Sequence, residues 1–185
     1  YNQQNGQIQY KEIPFNYSRL NCILSLGKDT IGIGTSNGII LFFAQNNQFR
    51  NVEMHFNVMR IFEDSHNELW LFSKEQRGIV RYDPLTNEQQ HYETPTQNMP
   101  KAELRSRDVI FEDNQGTLWV VPHLGCLSYY DREDKELKPY YTDYSKPESK
   151  FTPVILNFYV DNQKNFWYAN NFWMDKISFF PNASQ

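Results

Sequence analysis

Apolar and polar residues alternate along this chain in short bursts, and the bursts recur at a nearly fixed interval. Residues 110–119 read Ile-Phe-Glu-Asp-Asn-Gln-Gly-Thr-Leu-Trp, and residues 61–70 and 158–167 match them position for position. A weaker copy spans 23–32, with Gly32 where the tryptophan stands in the others. The anchors Gly32, Trp70, Trp119 and Trp167 lie 38, 49 and 48 residues apart. A period in this range marks an array of one supersecondary unit. Each copy is an apolar run ending in an aspartate or its equivalent, then a polar turn, then an aromatic and β-branched run. That pattern predicts two antiparallel strands joined by a tight turn.

The third copy shows how a unit continues. A further apolar run at 125–131 and a closing run at 136–141 follow Leu118-Trp119-Val120-Val121, which makes four strands, the number in a propeller blade. The first copy continues in the same way at 38–43 and 49–52, and the second at 79–82 and 89–92. The predicted units are therefore 20–56, 58–92, 107–141 and an incomplete 154–180. Residues 1–13, with Gln7-Ile8-Gln9-Tyr10, resemble a closing strand and are assigned to a preceding blade. No long segment carries a 3.6-residue period, so the expected class is all-β. Repetition of the aspartate as Asp64, Asp113 and Asp161 points to a role in the turn itself, where carboxylates accept backbone N–H bonds.

Composition sharpens this picture by exclusion. Aromatics make up 16% of the 185 residues, which suits strand packing and argues against disorder. A net charge of −4 leaves no basic footprint for nucleic acid. No apolar run reaches the length of a membrane-spanning helix. Cys22 and Cys126 fall at non-equivalent places in different units, and two small apolar side chains suit them better than a disulfide. Ile31-Gly32-Ile33-Gly34-Thr35 has alternating glycines but no helix pattern after it, so it is a strand and not a dinucleotide loop.

The run Ile-Phe-Glu-Asp-x-x-x-x-Leu-Trp at 61–70, followed by Gly-Ile-Val-Arg-Tyr-Asp at 78–83, resembles the two-component-regulator propeller repeat. That repeat builds the periplasmic sensor domain of hybrid two-component histidine kinase/response regulators in gut Bacteroidetes. The resemblance runs from about residue 20 to 180. The usual Trp-Ile-Gly-Thr ending survives only as Ile33-Gly34-Thr35, without its Trp. It implies a slice of a seven-bladed propeller, since seven units of this period need roughly 320 residues. A closed four-bladed ring is the alternative. It further implies a periplasmic, inner-membrane-anchored sensor that detects oligosaccharides and controls polysaccharide-utilisation genes through phosphorelay and transcription. Expected partners are the rest of the propeller, a downstream immunoglobulin-like domain and an oligosaccharide; a homodimer is compatible, and no cofactor or metal is implied.

Catalytic constellations are thin. There is no phosphate loop, His-Glu-x-x-His, Cys-x-x-Cys or Gly-x-Ser-x-Gly. The pairs Glu63-Asp64 and Glu112-Asp113 bring the two carboxylates of a glycosidase to mind, yet neighbours on a strand point to opposite faces. This segment is therefore read as a binding module, against a propeller-fold lyase or hydrolase and a protein-docking scaffold as alternatives. In a four-stranded meander the second-to-third turns and the connections between units share one rim, and there the sequence varies from unit to unit. Variable loops on a repetitive scaffold are where binding is expected. Candidate ligand-binding residues on that rim are Lys74, Arg77, Arg107, Asp108, His123, Asn170, Asn171, Trp173 and Asp175. Trp173 beside amides offers a plate for stacking on a sugar.

Overall fold

The computed structural model describes residues 10–27, 29–73, 78–93, 109–113, 115–121, 127–139, 157–162, 166–169 and 174–177. The fold of these residues is strand, turn and loop throughout. The first sheet is β1 (Leu20–Leu26), β2 (Thr30–Thr35), β3 (Gly38–Phe43) and β4 (Gln48–Glu53). The second is β5 (Val58–Glu63), β6 (Leu69–Ser73), β7 (Ile79–Tyr82) and β8 (Gln89–Tyr92). The third is β9 (Val109–Glu112), β10 (Leu118–Val121), β11 (Ser128–Asp131) and β12 (Glu136–Pro139). The fourth has three described strands, β13 (Asn157–Val160), β14 (Phe166–Ala169) and β15 (Met174–Ile177). Every strand pairs antiparallel with its neighbour in sequence, so each sheet is a meander.

The register of these sheets shows why the repeat is legible. Trp70 lies opposite Phe62 and Arg81, and Trp119 opposite Phe111 and Tyr129, so both anchors hold one position on the second strand. Gly32, opposite Leu24 and Leu41, holds the same position in the first sheet. Turn residues recur as well. Asn67 and Gly116 take positive φ at equivalent points of the first turns, and Asn47, Asn87 and Lys135 do so in the third. Gly78, at φ 94°, lies so close to the fourth strand of its sheet that a Cβ there would lie 2.0 Å from the Tyr92 carbonyl oxygen.

Consecutive sheets pack face to face. Leu26, Ile39, Leu41 and Val52 of the first meet Val58, Ile61, Leu69, Leu71, Val80 and Tyr82 of the second. The opposite face of the second sheet carries Trp70, Phe72, Ile79 and Tyr92, packed on Ile110, Leu118, Val120, Tyr130 and Leu137 of the third. Period-two alternation thus sends Leu69 and Leu71 one way and Trp70 and Phe72 the other, and both faces are apolar because both are covered. Cys22 carries a free thiol and lies half-buried against the first cluster; burial pushes its pKa up. No described helix is long and apolar enough to cross a membrane. Residues 1–9 of the expected orphan strand lie outside the described residues, and 10–13 are not in a strand.

Candidate functional site

The first-turn rim is built from carboxylates, and each has an assignable partner. Asp64 Oδ1 accepts the backbone N–H groups of His66 (2.9 Å) and Glu68 (3.0 Å), while Oδ2 accepts the indole N–H of Trp70 at 2.9 Å. Asp113 repeats this with Gln115 and Thr117, both at 2.9 Å, and Trp119 at 2.8 Å. Asp161 accepts the Trp167 indole N–H at 3.0 Å. One aspartate therefore caps the turn and satisfies a buried donor that would otherwise cost free energy. The structural role expected from repetition is the role observed.

The preceding glutamates work between sheets. Glu112 accepts the Ser65 amide N–H at 2.8 Å and the Ser65 hydroxyl at 2.7 Å, both from the second sheet. Glu63 accepts the Gly27 amide N–H at 3.0 Å, and Gly27 is the first-sheet counterpart of Ser65. Arg132, in the third turn of the third sheet, joins the same surface. Its Nη2 lies 2.9 Å from Asp64 Oδ2 and 3.6 Å from Glu112, and its Nη1 lies 3.4 Å from Glu68. Burial pushes the Asp64 carboxyl up, but hydrogen bonds from Trp70 and Arg132 outweigh it and leave it below the ordinary value. Carboxylates adjacent in sequence thus diverge as expected, while Asp64 and Glu112, 48 residues apart, converge on one guanidinium. Sequence reasoning missed Arg132 because its nearer partners, Asp64 and Glu68, belong to another unit.

An open groove of about 720 Å³ runs along this rim, lined by Glu63, Asp64, Glu112, Asp113 and Asp161 with Phe62 and Phe111 beneath. All five carboxylates already accept hydrogen bonds from the scaffold. As a site for reaction chemistry the groove is poorly supplied, because these groups are held to the fold. Among the described residues no cluster of His, Cys, Asp and Glu could hold a metal ion.

The opposite rim holds the second turns. The strand ends Thr35 and Gly38, Ser73 and Ile79, Val121 and Ser128, and Ala169 and Met174 all lie there, as the sheet order requires. Lys74, Arg77, Arg107, Asp108, His123, Asn170, Asn171 and Trp173 lie outside the described residues. Asp175 differs from expectation. Ala169 pairs with Met174, so β15 is already under way and Asp175 sits opposite Tyr168 in the strand instead of in the loop.

No protein-family model matches the sequence, and no curated protein matches it. Solved structures do resemble it. The extracellular domain of a hybrid two-component system from B. thetaiotaomicron aligns with a TM-score of 0.61 at 20% identity, over 89% of this chain and 22% of that one. Virginiamycin B lyase from Staphylococcus aureus aligns with a TM-score of 0.63 at 16% identity, over 98% of this chain and 62% of that one. An auxiliary nutrient binding protein from Bacteroides thetaiotaomicron gives 0.55 at 13% identity, over 88% and 46%. The chain therefore spans less than two thirds of each. At such identities the likeness is one of fold: a propeller-type, all-β array.

Proposed function

We propose that this chain is a ligand-sensing propeller segment of an extracytoplasmic hybrid two-component signalling protein, and that its ligand is an oligosaccharide. One observation carries the reading. The described carboxylates that recur from unit to unit are all engaged in holding turns and sheets together on one rim. Recognition then falls to the unrepeated residues of the other rim. Trp173 supplies a stacking face there, Asn170 and Asn171 supply amides, and Lys74, Arg77, Arg107, Asp108 and His123 supply charge and further hydrogen bonds. The fold-level likeness to an extracellular domain of a hybrid two-component system and to a nutrient binding protein supports this choice of class. In this reading the chain is four units of a seven-bladed ring, completed by the rest of its own propeller, with an immunoglobulin-like domain following.

The fold-level likeness to virginiamycin B lyase favours a second reading, an enzyme of the lyase class. Binding and turnover separate the two. Incubating the intact protein with an oligosaccharide panel, and following each sugar by mass spectrometry alongside calorimetry, is expected to give saturable binding with every sugar recovered intact. Appearance of shortened or unsaturated products would favour the enzyme and overturn the sensor.

A further inference from the structure

The interface between the first and second sheets lacks the side chains that fill the next one. Gly32 stands where Trp70 does, Leu26 where Asp64 does, Thr30 where Glu68 does, and Pro84 where Arg132 does. In the second interface Arg132 reaches across to Asp64, Glu68 and Glu112. In the first, the corresponding space is an open cavity of about 440 Å³. Its floor is the buried trio Leu26, Leu41 and Leu69, and its mouth carries Pro84 and Leu85, the latter 95% exposed. A volume of this size falls within the roughly 300–1,000 Å³ of small-molecule sites.

Arg50 borders this apolar space. Its guanidinium lies 5.9 Å from the Phe43 ring centroid, and Nη2 donates to the Tyr82 hydroxyl (3.1 Å) and the Pro84 carbonyl (3.0 Å). Nε is buried with no hydrogen-bond partner, as is Nε of Arg132, so it is the missing ion pair that sets Arg50 apart. Arg81 and Arg132, the other half-buried arginines described, are each paired with carboxylates, whereas no described carboxylate lies within ion-pairing distance of Arg50. A half-buried cation without a counter-ion favours an anionic ligand, and carboxylate matches the guanidinium fork. Glu63 is the other charged group at the cavity, fixed by the Gly27 amide, and it opposes a second negative charge on the ligand.

We propose that the cavity between the first two sheets binds a small apolar monocarboxylate, such as an aryl-alkanoic acid, with its carboxylate on Arg50 and its hydrocarbon on the leucines. This site lies on the first- and third-turn rim, across the sheets from the rim assigned to the oligosaccharide, and does not depend on that assignment. The test is calorimetry on the 185-residue chain with 3-phenylpropionate and its neutral amide. The acid is expected to bind one per chain and at least tenfold more tightly than the amide. Arg50→Gln is expected to erase that preference. Pro84→Arg, which places in the cavity mouth the side chain that fills the other interface, is expected to abolish binding of both. The comparison of acid and amide on the parent needs no variant. Equal affinity for the two, no saturable binding of the acid, or unchanged binding by a folded Pro84→Arg protein would overturn the proposal.

Discussion

Two side chains, an aspartate and a tryptophan six positions later, account for most of what repeats. The indole N–H of a buried Trp needs an acceptor, and the Asp supplies it with the oxygen not used by the turn. The first sheet shows the converse. Where Gly32 removes the indole, Leu26 replaces the aspartate, and a Cβ on Gly32 would lie 2.9 Å from Leu26 Cδ1. Donor and acceptor are lost together and an apolar contact takes their place. Trp70 is fully buried, so Trp70→Ala is expected to cost about 3–5 kcal/mol in a denaturant titration. Trp70→Phe keeps most of the packing and is expected to cost about 1–3 kcal/mol through the lost hydrogen bond; equal costs for the two variants would place the whole effect in the hydrogen bond, and an unchanged Trp70→Phe protein would place it in packing.

The Asp64 carboxyl titrates below its ordinary 3.8 because donors favour its charged form. Its contribution is therefore present above 3.8 and lost as pH falls through the lower native value. Between pH 4 and 2 the parent is expected to lose stability more steeply than Asp64→Asn; parallel pH profiles would sink this assignment. The residue-scale role of Asp64 was legible because repetition identifies a turn function. The role of Glu112 was not, because its partner Ser65 lies 47 residues away on the neighbouring sheet.

At the scale of elements, strand alternation and turn chemistry carried most of the information. The predicted 38–43, 79–82 and 118–121 coincide with β3, β7 and β10, since apolar faces define the strands and positive-φ residues stand beside them, Gly78 and Asn87 around β7 and Gly116 before β10. The limits of β15 escaped, because Met174 and Asp175 read as the tail of a polar loop until pairing with Ala169 and Tyr168 draws them into the sheet. Contact between sheets was legible only as alternation on both faces; the polar latches across it were not. Arg132 ties the second and third sheets through charged hydrogen bonds, although its side chain is 30% exposed and water weakens them. Arg132→Met is therefore expected to lower stability by about 1–2 kcal/mol, less in high salt than in low. Coupling to Glu112→Gln in a double-mutant cycle checks that the loss arises at this junction, and additive effects would remove Glu112 from it.

For the whole molecule, the array grows by adding sheets to apolar faces, and the outward face of the first sheet shows what that requires. Ile23 is 70% exposed, on the side of β1 opposite Leu24, which packs on the core. Apolar strand faces left open invite association. The chain on its own is expected to self-associate with rising concentration in sedimentation experiments, and Ile23→Lys is expected to reduce this; a monomer at all concentrations would show that the face needs no cover.

The central claim divides labour between the two rims, and one comparison tests it directly. Calorimetry of the intact protein against an oligosaccharide panel is run on the parent, Trp173→Ala and Glu112→Gln, with thermal melting of each. The account predicts that Trp173→Ala weakens sugar binding at least tenfold with little change in melting, while Glu112→Gln melts earlier and binds as the parent does. Sugar binding that survives Trp173→Ala but is lost in a folded Glu112→Gln protein would contradict it.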